Sequence, residues 1–142
     1  MKAENEMRLV FPGKSINESF ARTAAAVFAA LLDPTVEELS DLKTAVSEAV
    51  TNAIVHGYRD TVGDVFLQMA VLPGRRLRIR VRDKGVGIAD IAKAREPLFT
   101  TGGEERAGLG FAVMESCMDR VRVRSRVGGG TTVTLEKQIS GK

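Results

Sequence analysis

At 142 residues the chain has room for one domain with a real core, and no second domain is expected. One cysteine and one histidine exclude an internal disulfide and argue against a structural zinc site within one chain, and no apolar run is long enough to span a bilayer. A formal charge of +3 fits a nucleic-acid binder or a protein that docks acidic partners, so the placement of the charge matters more than its size.

The opening residues, Met1-Lys2-Ala3-Glu4-Asn5-Glu6, lack the apolar stretch of a secretory signal, and a cytoplasmic protein is expected. Met7 to Phe11 reads as a strand closed by Pro12-Gly13. Gly13-Lys14-Ser15 resembles the tail of a phosphate-binding P-loop, but Arg8 stands where that motif needs its first glycine. Ser15 with Glu18 has the spacing of a capping box and opens a helix through the alanine-rich stretch to Leu32, ahead of Pro34. Thr35 with Glu38 is a second such box and starts a long helix that Gly57 ends, with His56 in its last turn and Cys117 expected later as a buried thiol.

In the long helix Leu39, Leu42, Val46, Val50, Ala53 and Ile54 make one apolar stripe facing the core. Glu48 and Asn52 lie off the stripe, four apart and on one face. A carboxylate and a carboxamide so placed can accept a proton and supply a hard oxygen to Mg²⁺, although the same pair also fits a plain solvated face.

Asp64 to Leu72 alternates, and Pro73-Gly74 turns the chain into a strand with Leu77, Ile79 and Val81 on one side and Arg76, Arg78, Arg80 and Arg82 on the other. Val121, Val123 and Val127 against Arg120, Arg122, Arg124 and Arg126 repeat the pattern, and Thr131 to Glu136 follows a triple-glycine turn as hairpin partner. One dry and one wet side predict an α+β fold: a two-layer sandwich with a mixed, mostly antiparallel sheet and helices on a single face. The arginine rows are then first of all the solvated side, with no direct nucleic-acid partner expected.

Asp83-Lys84-Gly85-Val86-Gly87 closes the arginine-rich strand. A carboxylate there can accept from an exocyclic adenine amine while the glycines admit a flat base, and the same pattern also fits an ordinary turn. The run Thr100-Thr101-Gly102-Gly103-Glu104-Glu105-Arg106-Ala107-Gly108-Leu109-Gly110 predicts a mobile lid or a plain surface loop, feeding a helix from Leu109 to Asp119 whose free N–H groups suit phosphates.

In this order the Glu/Asn helix, the D-x-G-x-G segment, the glycine-rich lid and Gly130-Thr131-Thr132 resemble the four boxes of the GHKL ATPase superfamily. Within it, Asn17 to Arg22, Leu32 to Thr35, Glu48 to Tyr58, Pro97 to Thr101 and Gly130 to Thr132 are similar to the anti-sigma F family of serine-protein kinases. The resemblance implies a site for ATP and Mg²⁺ in which Glu48 is the general base and Asn52 the metal ligand. Asp83 would read the adenine amine with Gly87 and Thr132 completing the base pocket, Gly108 and Gly110 would contact phosphates, Gly85, Thr100, Thr101 and Leu109 would also bind the nucleotide, and Arg106 would help when the lid closes. It further implies a homodimer, a sigma factor of RNA polymerase as client, an anti-anti-sigma factor as phosphoacceptor and Arg22 as the contact for both. A kinase of the general stress pathway and a non-enzymatic nucleic-acid binder are the alternatives. The glycine-rich lid is shorter than the family pattern.

Overall fold

The computed structural model describes residues 2–58, 61–88 and 103–141, without the side chains of residues 103–108. Its elements run β1 (Asn5–Pro12), α1 (Ile16–Ala30), α2 (Val36–Asn52), a π-helical turn (Ala53–Gly57), β2 (Asp64–Leu72), β3 (Arg76–Asp83), α3 (Gly103–Cys117), β4 (Arg120–Arg126) and β5 (Gly130–Gln138). The strands form one sheet in the order β1-β2-β3-β5-β4. Every described pair is antiparallel, so the sheet is not mixed. Each connection is either a hairpin or a return through helices, which leaves no need for a parallel neighbour.

Alternation decides which side is dry. Val65, Leu67 and Met69 of β2 lie opposite Val81, Ile79 and, one strand over, Leu9 and Met7, and the buried members of this set join Val133 and Leu135 of β5 under the helices. From above, α2 contributes Leu42, Ala45, Val46, Ala49 and Val50, α1 contributes Ala21, Ala25 and Phe28, and α3 contributes Phe111 and Met114. Each large aliphatic side chain buried here contributes about 1.5–3 kcal/mol. Leu39 and Ile54 complete the expected stripe as half-buried flanks of the core. Cys117 is also half-buried, against the end of this core rather than inside it.

Three local expectations need correction. Ser15 already has helical backbone angles (φ −55°, ψ −32°), so its hydroxyl does not cap α1, and Glu18 instead accepts from the Ser47 hydroxyl and pairs with Arg22. The third helix starts at Gly103 rather than Leu109, because Glu104-Glu105-Arg106-Ala107 are good helix formers with acids placed at the positive end of the helix dipole. Val127 lies in the β4–β5 turn and is 69% exposed, so it extends no dry face.

The second capping box forms in full. Thr35 Oγ1 accepts from the Glu38 N–H at 3.0 Å and Glu38 accepts from the Thr35 N–H at 2.9 Å. Glu38 also accepts from the N–H groups of Ser140 and Gly141, tying the far end of the chain to the first turn of α2. Burial pushes its carboxyl up, but the Thr35, Ser140 and Gly141 backbone bonds outweigh that and hold it at about 2. A carboxyl held below its ordinary 4.5 adds stability that is present above that value and is lost as the pH falls toward about 2. Glu38→Ala should therefore lower the melting temperature at neutral pH and remove this part of the acid-side decline, as thermal denaturation at stepped pH would show.

Candidate functional site

Helix α2 carries the candidate chemistry on the side that faces α3. Glu48 and Asn52 are both half-buried, and with Thr51 they line a cavity of about 290 Å³ closed on the other side by Leu109, Gly110 and Val113. Gly110 makes this closure possible. A Cβ there would stand 3.1 Å from Glu48 Oε2 and 3.4 Å from both polar atoms of the Asn52 amide. The Asn52 Nδ2 atom is buried and has no hydrogen-bond partner among the described residues. A buried amide left unpaired costs about 1–3 kcal/mol, a cost removed when a bound group supplies the missing partner.

Beyond Asn52 the helix widens into the π-helical turn, with the Tyr58 N–H reaching back to the Ala53 carbonyl at 3.2 Å. Turns of this kind cluster at functional sites, and here the widening delivers Gly57 to the end of β3. A Cβ on Gly57 would fall 2.6 Å from Asp83 Oδ1, and one on Gly85 would fall 1.8 Å from the Gly57 carbonyl oxygen. Helix end and strand end therefore touch backbone to backbone, with the Val86 N–H donating to the Gly57 carbonyl at 2.9 Å. The Tyr58 hydroxyl locks the junction by accepting from the Lys84 N–H and donating to the Asp64 carbonyl, each at 2.7 Å.

Asp83 is 4% exposed and points to the helical side. Burial raises its carboxyl above the usual range, opposed by bonds from the Gly85 and Thr131 backbones. Gly87 has φ +77° and passes so close to the β4–β5 hairpin that a Cβ would lie 2.1 Å from the Arg126 carbonyl oxygen. From Glu48 to Gly57 is nine residues, about 13 Å of helix axis. That span suits a nucleoside triphosphate, with a base at Asp83 and phosphates beside Glu48 and Asn52.

One expected base-pocket residue is misplaced. The register sets Asp83 opposite Thr131 and Arg82 opposite Thr132, so Thr132 points to the arginine side, away from Glu48 and Asp83. Strand alternation turns Thr131 to the Asp83 side instead, where it is buried and exchanges a hydrogen bond with Ser125 at 2.8 Å. Counting alternate residues inward from Val133 and Leu135 would have identified it. Ser125, which also accepts from the Ile88 N–H at 2.7 Å, and Tyr58 carry no sequence signal of their own. Gly108 lies within α3, and Leu109 stands 51% exposed at the cavity mouth. Thr100, Thr101 and the Arg106 side chain lie outside the described residues.

A second recess adjoins the first. A groove of about 560 Å³ between α1 and α2 is lined by Arg22, Ser40, Lys43, Ser47 and Glu48, so Glu48 borders both spaces.

Residues 15–137 match the family model described as "Histidine kinase-like ATPase domain". Proteins named "Anti-sigma F factor" match nearly end to end: that of Thermoanaerobacter sp. (strain X514) is 54% identical over 98% of this chain and 97% of the relative. That of Geobacillus thermodenitrificans (strain NG80-2) is 56% identical over 96% and 94%. The chain belongs to the anti-sigma F factor family. Among solved structures, the RsbU and RsbW domains of Rv1364c from Mycobacterium tuberculosis share the fold with a TM-score of 0.71 at 21% identity, covering 95% of this chain and 32% of that one. The histidine kinase domain of the Erythrobacter litoralis EL346 blue-light activated histidine kinase does so with a TM-score of 0.57 at 22% identity, covering 87% and 61%. The match over residues 15–137 thus places the Glu48–Asn52 cavity in a histidine kinase-like ATPase domain.

Burial makes the ionised Asp83 carboxyl costly to stability. A carboxyl raised above its ordinary 3.8 makes the ionised form costly in the folded state, a cost absent below 3.8 and growing as the pH rises through the folded value. Asp83→Asn should then melt no lower than the parent at neutral pH while its affinity for adenine nucleotides falls about tenfold or more, the loss of one charge-assisted hydrogen bond. Calorimetric titration beside thermal denaturation reads both.

Proposed function

We propose that this chain binds and inhibits the sporulation sigma factor F and that, as an ATP- and Mg²⁺-dependent serine-protein kinase, it phosphorylates a serine of an anti-anti-sigma partner and so inactivates it. The observation that carries this reading is the position of Glu48, at the boundary between the Asn52–Gly110 cavity and the open groove that leads to Arg22. A phosphoryl donor and a protein hydroxyl can approach the same carboxylate from opposite sides.

Bound Mg²⁺-ATP supplies the phosphoryl group and part of its charge neutralisation. Among the described residues no three His, Cys, Asp or Glu side chains cluster, so Asn52 would hold the cation together with phosphate oxygens and water, the mode Mg²⁺ favours. The unpaired Asn52 Nδ2 is a donor that a phosphate oxygen would satisfy, and the amide oxygen is the atom that would hold the cation. Glu48 accepts the proton that the attacking serine hydroxyl releases. Asp83 holds the base through its exocyclic amine, and Gly110 keeps the space beside Glu48 open. Positioning and electrostatics of this kind are most of what phosphoryl transfer requires.

The groove supports Arg22 as the partner contact. Arg22 is half-exposed, and Glu18, bonded to Ser47 next to Glu48, holds it at 3.7 Å. A client seated on Arg22 is therefore registered against the base through one carboxylate. For the homodimer, α1 offers Phe20, Val27 and Leu31, each more than 60% exposed, beside Met7 on edge strand β1. An apolar patch of this kind marks an association surface. The protein is expected to act in the cytoplasm.

Labelled ATP, Mg²⁺ and the anti-anti-sigma partner, mixed with the chain, should place the label on a partner serine. Glu48→Gln should keep nucleotide affinity while phosphorylation falls by roughly 10²–10⁴-fold, and equal loss of both would remove Glu48 as the base. Arg22→Glu should weaken sigma-factor capture and raise the KM for the acceptor while leaving ATP affinity unchanged; an unchanged pull-down would disprove its role as the contact.

A further inference from the structure

The outer side of the sheet carries alternate arginines from residue 76 to 82 on β3 and from 120 to 126 on β4, with β5 between them. The register makes this a lattice: Arg82 and Arg124 both face Thr132, and Arg80 and Arg122 both face Thr134. Alternate residues of a strand lie about 6.6 Å apart and the two arginine strands about 9.5 Å apart, so the cations are evenly spaced in both directions.

Among the described residues the counter-charge on this side comes from Glu136 and from Glu6 on the edge strand β1. Glu136 is shared by Arg76 and Arg122, while Arg78 Nε is buried with no partner among the described residues. Burial and then the neighbouring Arg78 and Arg122 charges pull the Arg80 guanidinium down from its ordinary value. Like charges held this close across a sheet oppose folding, which a plain solvated face does not require.

We propose that this arginine lattice docks the phosphate backbone of duplex DNA without sequence preference. Guanidinium groups match phosphate bidentately, and duplex interfaces are strongly positive and polar. A protein partner fits less well, because an interface core sets aromatic anchors among its arginines and the centre of this side carries arginine, threonine and glutamate among the described residues. A single strand fits less well too, since it needs exposed aromatic platforms. Phe66 is the aromatic residue on this side among the described residues, and it is covered by Arg82 at 5.8 Å and Lys84 at 5.1 Å. The proposal stands apart from the kinase reading and departs from the expectation of no nucleic-acid partner.

The test is fluorescence anisotropy of the full chain with a mixed-sequence duplex of about 20 base pairs, two turns of B-DNA. Affinity should fall roughly 10²–10³-fold between about 50 and 200 mM salt, the slope of about four to six neutralised phosphates. Arg82→Gln with Arg124→Gln should reduce the salt slope by about two and weaken binding at low salt, with ATP affinity unchanged as proof of folding. No duplex binding by the parent at low salt overturns the proposal, as does a folded double variant that binds like the parent. Tighter binding of a single strand of the same length, or equally effective competition by poly-glutamate, would also overturn it and reassign the lattice to single strands or to an acidic protein.

Discussion

The backbone contact between Gly57 and Gly85 determines how the site is assembled. With a side chain on Gly85 the end of β3 could not pass the last carbonyl of the helical turn, and with one on Gly57 the Asp83 carboxylate would be displaced. Because both are glycine, a helix side and a strand end thirty residues apart in sequence share one recess. Glu48 and Asn52 are then set by helical pitch, Asp83 by the pleat of the sheet, and the distance between them by the nine residues of helix and turn from Glu48 to Gly57. Changes in the apolar stripe of α2 would be felt at the site through this joint, since the stripe fixes the rotation of the helix that presents Glu48.

Much of this was legible in the sequence where a period or a spacing had one physical solution. The stripe from Leu39 to Ile54 admitted one orientation of α2, the Thr35–Glu38 spacing one start, and the arginine alternation one wet side. The failures came where two local solutions competed. Ser15 and Glu18 have the spacing of a capping box, but the site offered Glu18 better partners in Ser47 and Arg22. Glycine-rich residues before Leu109 suggested a loop, although the four residues from 104 to 107 favour a helix. Motif position points to Thr132, whereas the pleat sets adjacent threonines on opposite sides of the sheet and turns Thr131 toward Asp83. The π-helical turn had no legible signal, because Ala53-Ile54-Val55-His56-Gly57 carries the same periodicity as an ordinary helix end.

On the proposed kinase reading, the groove and cavity that meet at Glu48 would separate two tasks which a single pocket would confuse. The cavity side combines Glu48, Thr51 and Asn52 with Leu109, Gly110 and Val113, while the groove side presents Arg22 and Lys43, cations that would meet a macromolecular partner. A water molecule entering from the open side could compete with the acceptor hydroxyl, so seating of a protein on the groove would also exclude solvent. Affinity for the partner and restraint of wasteful hydrolysis would then depend on the same contact.

Glu38 joins the first turn of α2 to residues more than a hundred positions later. During synthesis the helix bearing Glu48 and Asn52 emerges well before two of the N–H groups that Glu38 accepts from. A chain lacking residues 140 and 141 would carry Glu48 and Asn52 on a helix whose entry is incompletely fixed. Formation of the recess beside Glu48 is in this sense coupled to a segment far away in the sequence.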